Sequence, residues 1–156
     1  AAQARDEEQR IRDKFLRKSG GTERIATLRA EMHNSMEGGC GIYRDEATLR
    51  ETCDKLAELR DRFVDINLDD SSKSFNTELT TALELEFMLD LAEAVAHSAL
   101  ARTESRGSHQ RIDFPQRDDE NFLRHTMTYR TDSNPQIEYL NVVITRWPPR
   151  ERIYGS

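Results

Sequence analysis

The densest group of chemically active side chains lies at residues 104–111, which read Glu-Ser-Arg-Gly-Ser-His-Gln-Arg. We call this segment the arginine turn. Arg106, His109 and Arg111 would project beside the negative end of a preceding helix if Gly107 supplied the left-handed cap of that helix. Such a cationic cluster could hold a carboxylate ligand, or it could clamp carboxylates of the same chain or of a neighbouring domain. We favour the clamp.

A second group of polar side chains, Glu86, Asp90, Glu93 and His97, is spaced so that its members share one face of a helix. A carboxylate-bridged metal site in a helical bundle needs a Glu-x-x-His pair on two helices. Here the pair reads Glu-x-x-x-His and has no second copy. We therefore expect a polar face paired with arginines from the last third of the chain, with a metal-binding four-helix protein as the remaining alternative.

Three further patterns favour structural roles. Residues 39–41, Gly-Cys-Gly, begin like a dinucleotide-binding loop, but Arg44 replaces the third glycine and no strand precedes them, so they are expected to end a helix. Cys40 and Cys53 form no Cys-x-x-Cys pair and are expected to pack. The histidines without a visible partner are His33 and His125. For each of these three patterns we therefore favour a structural role over catalysis, cofactor binding or metal ligation.

The first three predicted helices come before the arginine turn and before the polar face of residues 86–97. Residues 2–18 are almost all helix formers and predict a polar arm that ends at Ser19-Gly20-Gly21. Thr22 and Asp45 are the expected N-caps of the second and third helices. The second helix has an apolar stripe at Ile25, Leu28, Met32 and Met36, and is expected to end at Gly38, Gly39 and Gly41. The third has its apolar seam at Leu49, Cys53, Leu56 and Phe63.

The fourth helix is predicted from Asn76 or Thr77 to about Thr103, after a polar loop at residues 65–75. Its apolar residues fall on nearly every face, which is typical of a central, buried helix. Beyond it, residues 122–130 and 137–146 suit two strands, and the turn-forming residues between them predict a hairpin. The Trp-Pro-Pro at 147–149 should stop the second strand.

The predicted fold class is mainly α, with a small bundle of three to four helices around a buried central helix, followed by a C-terminal β-hairpin or extended tail. We expect a polar helical arm or linker at residues 1–21 and the helical bundle at 22–104. The arginine-rich turn, the hairpin and the tail occupy 105–156. Because a lone hairpin is marginal in water, this last part is expected to pack on the bundle.

The composition of the chain limits the classes of function that it can have. The 156 residues carry a net charge of −6 and only 36% hydrophobic residues, which predicts a protein that relies on a partner or belongs to something larger. The acidic balance argues against nucleic acid. No apolar run approaches the roughly 20 residues of a membrane span, which argues against direct insertion into a membrane. Two cysteines and no signal-peptide pattern predict a cytoplasmic protein.

The chain resembles the C-terminal region of fumarate reductase and succinate dehydrogenase flavoprotein subunits. Bacterial fumarate reductases are the most similar branch, through Gly-Cys-Gly-Ile-Tyr-Arg at residues 39–44. The segments that carry the resemblance follow in the order of the family at residues 29–32, 36–44, 55–59, 75–79, 96–102, 104–111, 117–126 and 148–155. Together, in this order, they are strongly specific.

This resemblance implies a larger parent with an N-terminal FAD-binding domain, a covalently attached flavin, a capping domain and a C-terminal helical domain, to which the whole chain corresponds. In such a parent, reduced flavin delivers a hydride to fumarate while an arginine protonates the adjacent carbon, or the reverse occurs with succinate. Electrons pass through an iron–sulfur subunit. The flavin-binding and catalytic residues of the family lie upstream of the matching region, so none is carried over to this chain.

The resemblance also implies partners, namely the flavin-binding domain of the same chain and the iron–sulfur subunit, on the cytoplasmic face of the inner membrane. Ser105, Arg106, His109 and Arg111 match a family motif, and we expect them to dock the helical domain against the flavin domain. By itself the chain is expected to bind no FAD and to reduce no fumarate. Its exposed docking face leaves a homo-oligomer open.

A rival interpretation is a free-standing helical module that binds a protein partner. Residues 101–156 contain nine arginines and no lysine. Arginine suits fixed, bidentate ion pairs better than general solvation. In this interpretation the arginine-rich tail would be the binding segment.

Overall fold

Three long helices form the body of the molecule, α2 (Ile25–Cys40), α3 (Glu46–Phe63) and α4 (Thr77–Ala101). They follow α1 (Ala2–Ile11), which continues into a π-helical turn at Arg12–Leu16. The shorter elements are β1 (Tyr43–Arg44), β2 (Gln110–Arg111), α5 (Asp119–Phe122), β3 (Arg124–Tyr129) and β4 (Gln136–Asn141). This computed structural model describes residues 2–17 and 20–150. It confirms the predicted mainly-α fold with a C-terminal hairpin.

Two helices begin where the sequence predicts, α3 after the predicted cap Asp45 and α4 after Asn76. Asp45 Oδ1 accepts a hydrogen bond from the backbone N–H of Thr48 at 3.0 Å. Asn76 Oδ1 accepts one from the backbone N–H of Leu79 at 2.7 Å. Each bond satisfies a first-turn N–H group that has no acceptor within the helix. The starts of α3 and α4 are therefore fixed by local side chains, as the sequence predicted.

The prediction that Thr22 caps α2 is wrong. The N-cap of α2 is Arg24, whose side chain makes no capping bond. Thr22 Oγ1 instead donates to Asp65 Oδ2 at 2.9 Å. The reason is that the backbone of Glu23 pairs with the loop after α3, donating to the carbonyl of Asp65 at 3.1 Å. This bridge holds Thr22 beside that loop and away from the first turn of α2.

The hydrophobic core lies between α2, α3 and α4. The predicted apolar positions of α2 and α3 are buried, apart from Met36, which is partly buried against the core. The α4 helix contributes Ala82, Leu85, Leu89, Ala92, Ala96 and Ala99. Phe15 of the N-terminal arm joins the core, with its ring centroid 6.1 Å from that of Phe63. The polar arm is therefore anchored by an aromatic contact.

One face of α4 does not enter the core. Phe87, Leu91 and Val95 follow one another at four-residue intervals and are 57%, 66% and 47% exposed. We call these three residues the α4 stripe. The prediction that α4 is buried between neighbours on nearly every face is therefore wrong for this side, because the described part of the chain supplies no element that covers it.

The C-terminal hairpin is antiparallel and pairs Arg124 with Asn141 at one end and Tyr129 with Gln136 at the other. Both strands are shorter than predicted, and β4 ends at Asn141, well before Trp147. The short helix α5 was not predicted.

Ser19 of the predicted arm break and residues 151–156 of the predicted tail lie outside the described residues. None of the helices in the described ranges has the length and apolar character of a membrane span.

The close approach of α2 to α3 makes Gly39 testable. A Cβ at Gly39 would lie 1.8 Å from Thr52 Oγ1, whereas a Cβ at Gly38 would meet nothing within 4 Å. We expect Gly39→Ala to lower the free energy of unfolding by about 1–3 kcal/mol, because the two helices must separate. The matched control Gly38→Ala should raise it by about 0.5–1 kcal/mol through helix propensity. Urea unfolding measures both values, and equal effects would contradict the close approach.

Candidate functional site

The arginine turn is a tight hairpin of the backbone that follows α4. The N–H of Arg106 donates to the carbonyl of His109 at 2.8 Å, and the N–H of His109 donates back at 3.0 Å. Gly107 has φ +60° and takes the left-handed position of this turn. The prediction that Gly107 caps α4 is therefore wrong, since the helix ends at Ala101 with Arg102 extended.

The cap of α4 is a side chain. Arg111 is fully buried, and its Nη1 donates to the carbonyl oxygens of Ala99, Leu100 and Arg102 at 3.2–3.3 Å. These carbonyls include C-terminal acceptors that have no partner within the helix. The Nε and Nη2 atoms of Arg111 both bind the Asp113 carboxylate at 2.7 Å. This confirms the expectation that a cation of the turn lies beside the negative end of the helix dipole.

A second ion pair, whose carboxylate is buried, also holds the arginine turn in place. Glu104 is fully buried and accepts hydrogen bonds from Arg106 Nε at 2.8 Å and from the backbone N–H of Asp118 at 2.8 Å. It also pairs with Arg102. Burial acts to raise the pKa of Glu104, but these hydrogen bonds outweigh it and the pKa is lowered. Arg106 reaches Asp119 as well, at 2.7 Å.

His109 is held as a neutral imidazole. Its Nδ1 lies 3.0 Å from Arg44 Nη1, and its Nε2 lies 3.1 Å from the carbonyl oxygen of Arg102. Because a guanidinium can only donate and a carbonyl can only accept, Nδ1 is the acceptor and Nε2 carries the proton. Burial lowers the pKa of His109, and the charges of Arg44, Arg111 and Arg102 add to this effect, against the hydrogen bond to the Arg102 carbonyl.

The structure therefore brings the four predicted docking residues together and satisfies them within the chain. Ser105 Oγ donates to the carbonyl of Phe114 at 2.9 Å and accepts from the N–H of Arg111 at 2.9 Å. The sequence left open whether this cluster holds a carboxylate ligand or clamps carboxylates of the protein. In the structure it clamps carboxylates of the same chain. They are Glu104, Asp113 and Asp119. The docking role itself stays a prediction.

The polar face of α4 pairs differently from the prediction. Glu86 binds Arg10 at 2.9 Å and Lys14 at 2.7 Å, both from the N-terminal arm. Asp90 and Glu93 contact Arg60 of α3. In the described ranges the last third of the chain supplies one cation to this face, Arg130, which lies 2.9 Å from Asp90. Three other arginines of the last third do not reach this face, because they pair with carboxylates within and beside the arginine turn. They are Arg102, Arg106 and Arg111.

The polar face also contains a buried carboxylate. Burial raises the pKa of Glu93, whose Oε2 contacts Arg60 but forms no well-aligned hydrogen bond. Across residues 2–17 and 20–150, no cluster of three or more His, Cys, Asp and Glu side chains could hold a metal ion.

The remaining candidates take structural positions. Residues 39–41 end α2 at Cys40, with Gly41 as the C-cap, which confirms helix termination. Cys40 and Cys53 are buried free thiols, as the packing role predicts, and burial raises the pKa of Cys53 to about 11. The two histidines without a predicted partner, His33 and His125, are exposed.

Sequence reasoning missed a groove beside the arginine turn. This groove, which we call the α4 groove, has a volume of about 410 Å³. Its walls include Arg44, Leu91, Val95, Ser98, His109 and Thr128. The only signal in the sequence was the position of Arg44 in the Gly-Cys-Gly-Ile-Tyr-Arg segment. The groove lies between α4 and β3, and the pairing of β1 with β2 places Arg44 beside His109 at its end.

Comparisons with known proteins identify the relatives of this fold. The pattern of the family described as fumarate reductase flavoprotein C-term matches residues 29–154. The chain is 51% identical to the fumarate reductase flavoprotein subunit of Mycobacterium tuberculosis, over 99% of this chain and 27% of that protein. It is 48% identical to that of Escherichia coli, over 99% of this chain and 26% of that protein.

A solved structure of a mutant Escherichia coli quinol fumarate reductase superposes with a TM-score of 0.93 at 47% identity, over 99% of this chain and 27% of that one. The fold is thus shared with part of a flavoprotein subunit. The chain belongs to the fumarate reductase flavoprotein C-terminal family. It spans about a quarter of the length of the relatives that it matches.

The buried Arg111 gives a test of the site as a structural unit. We expect Arg111→Met to lower the free energy of unfolding by about 1–3 kcal/mol, because it leaves the carbonyls at the end of α4 without their donor. The control Arg117→Met removes a partly exposed ion pair with Asp119 and should change stability by about 0.5 kcal/mol or less. Urea unfolding decides, and similar losses in both variants would contradict the capping role.

The neutral His109 predicts a pH dependence. Its pKa in the folded chain lies below the ordinary value of 6.5, so the unfolded chain binds the proton more readily. The stability that this histidine contributes is therefore present above pH 6.5 and is lost as the pH falls below it. We expect His109→Gln to flatten the decline of unfolding free energy below pH 6.5. An unchanged slope, measured by urea unfolding at several pH values, would overturn this assignment.

Proposed function

We propose that this chain is the C-terminal helical domain of a flavoprotein subunit that interconverts fumarate and succinate in respiratory electron transport. The observation that carries the proposal is the superposition on the quinol fumarate reductase structure over nearly the whole chain, at 47% identity. In this proposal the domain scaffolds the subunit and contributes no catalytic residue. The isolated chain would be inactive.

The glycine segment at residues 39–41 does not fit a flavin dinucleotide. Residues 39–41, the segment most like a dinucleotide loop, end a helix, whereas a phosphate cradle lies at the start of one. A Cβ at Gly39 would meet Thr52, so this glycine serves helix packing. The proposal therefore places covalent FAD in the rest of the parent, where it would supply the hydride chemistry, and assigns no redox step to the described residues.

The proposed partners are the flavin-binding domain of the same polypeptide and the iron–sulfur subunit of the complex. Ser105, Arg106, His109 and Arg111 would serve docking indirectly, since their polar groups are already bonded within the chain. They would hold the arginine turn in the shape that the flavin domain meets. The proposed division stays at residues 1–21, 22–104 and 105–156, and the parent would lie on the cytoplasmic face of the inner membrane.

A chimera tests this function. In it, the present chain replaces the matching segment of the Escherichia coli fumarate reductase flavoprotein subunit, which is 48% identical. We expect the chimera to retain covalent flavin, to assemble with the other subunits of that enzyme, and to reduce fumarate with a reduced dye. Absorbance near 450 nm, as expected for a flavin, and turnover measure the outcome.

A chimera that folds but loses both flavin and turnover would contradict the proposed function. Flavin binding or fumarate turnover by the isolated chain would contradict its scaffolding role. The docking role of the turn is tested by Arg106→Ala in the active chimera. If flavin retention and thermal stability are both unchanged, the turn does not dock.

A further inference from the structure

The α4 stripe is an apolar surface without a cover in the described part of the chain. Leu91 and Val95 form one wall of the α4 groove, and Phe87 extends the same stripe one turn towards the start of α4. The opposite wall is polar and comes from Thr126 and Thr128 of β3. Ser98 Oγ and Thr128 Oγ1 are 2.7 Å apart, which ties the two walls together. The groove is therefore built between two connected elements.

Arg44 lies at one end of this groove and is half-buried. Its Nε donates to the carbonyl of Gly41 at 2.9 Å, and its Nη1 bonds His109 at 3.0 Å. No carboxylate of residues 2–17 or 20–150 lies within ion-pair distance of it, and its Nη2 has no hydrogen-bond partner there. Arg102, which also lines the groove, is already paired with Glu104.

His109 determines where the Arg44 guanidinium points. Its protonated Nε2 is held by the Arg102 carbonyl, so its Nδ1 is left as an acceptor that fixes Nη1 of Arg44. A preorganised guanidinium loses little side-chain entropy when it meets an anion, and its free N–H groups suit a carboxylate. His109 is thus a positioning residue for Arg44.

We propose that the α4 groove receives a protein segment from the flavin-binding part of the same polypeptide, which sets a carboxylate on Arg44 and an apolar side chain against Leu91 and Val95. The inference rests on the proposed function and names the chemistry of its docking contact. Two observations select this occupant. One is charge complementarity, because Arg44 is the cation of the groove that lacks an acid among the described residues. The other is that about three quarters of each matched relative lies outside the region that this chain covers.

Charge exchange in the chimera tests the contact. We expect Arg44→Gln to reduce the recovery of flavin-containing, assembled chimera by about thirtyfold or more, because loss of one member of a desolvated charge pair weakens association to this degree. Arg50→Gln is the matched control. It removes an exposed arginine of α3 that pairs with Glu46 one helical turn away, and recovery should be unchanged.

A second variant identifies the partner charge. Arg44→Glu should abolish assembly, and a library that converts single acidic residues of the flavin part to lysine should contain a suppressor at one position. In the isolated chain, Arg44→Gln should lower the urea midpoint by much less than Arg111→Met does, since Arg44 makes hydrogen bonds to Gly41 and His109 but pairs with no described carboxylate.

The outcomes separate the two proposals. If the unmodified chimera fails to assemble, the proposed function falls and this inference falls with it. If the chimera works but Arg44→Gln behaves like Arg50→Gln, or no suppressor of Arg44→Glu is found, only the carboxylate contact is wrong. A loss of stability in isolated Arg44→Gln as large as that of Arg111→Met would make Arg44 a folding residue and would overturn the inference.

Discussion

The ion pair between the buried Arg111 and the partly exposed Asp113 is the contact on which the arginine turn depends. Arg111 caps α4 through three carbonyls, and Asp113 also accepts from the N–H of Glu46, the first residue of α3, at 2.9 Å. One ion pair therefore connects the ends of two core helices with β2. The hydrogen bond from Arg111 lowers the pKa of Asp113 to about 2, so the pair stays charged down to strongly acidic pH.

The distribution of charge and apolar surface agrees with a domain that packs on something else. Arg62 binds both Glu23 and Glu31. Its hydrogen bond to Glu31, together with one from Lys55, lowers the pKa of Glu31 to about 2. In contrast to this local pairing, Arg44 has no acidic partner among the described residues and lies near the apolar α4 stripe. Contiguous apolar surface of this kind marks interaction sites in soluble proteins. The low hydrophobic content is thus shared between a small core and exposed apolar residues, among them the α4 stripe.

The helices could be predicted because their signals are local. Asp45 and Asn76 cap the helices that follow them, and the apolar spacing of α2 and α3 follows the helical period. Thr22 and Gly107 were misassigned because helix-capping preferences do not include the contacts that place them. Thr22 bonds to a loop beyond α3, and Gly107 lies in a two-residue backbone turn. The groove could not be predicted, since the two-residue strands β1 and β2 carry no alternating pattern.

The parallel pairing of β1 with β2 has a consequence for the order of folding. Tyr43 pairs with Gln110, and the whole of α3 and α4 lies between them in the chain. Closing so long a loop costs entropy that only a few bonds of the short ladder return. Contacts between sequence-distant segments form slowly relative to local helical ones. The topology therefore predicts that the bundle assembles before the ladder closes, and that a nascent chain exposes its helices to the surroundings until the last bonds form.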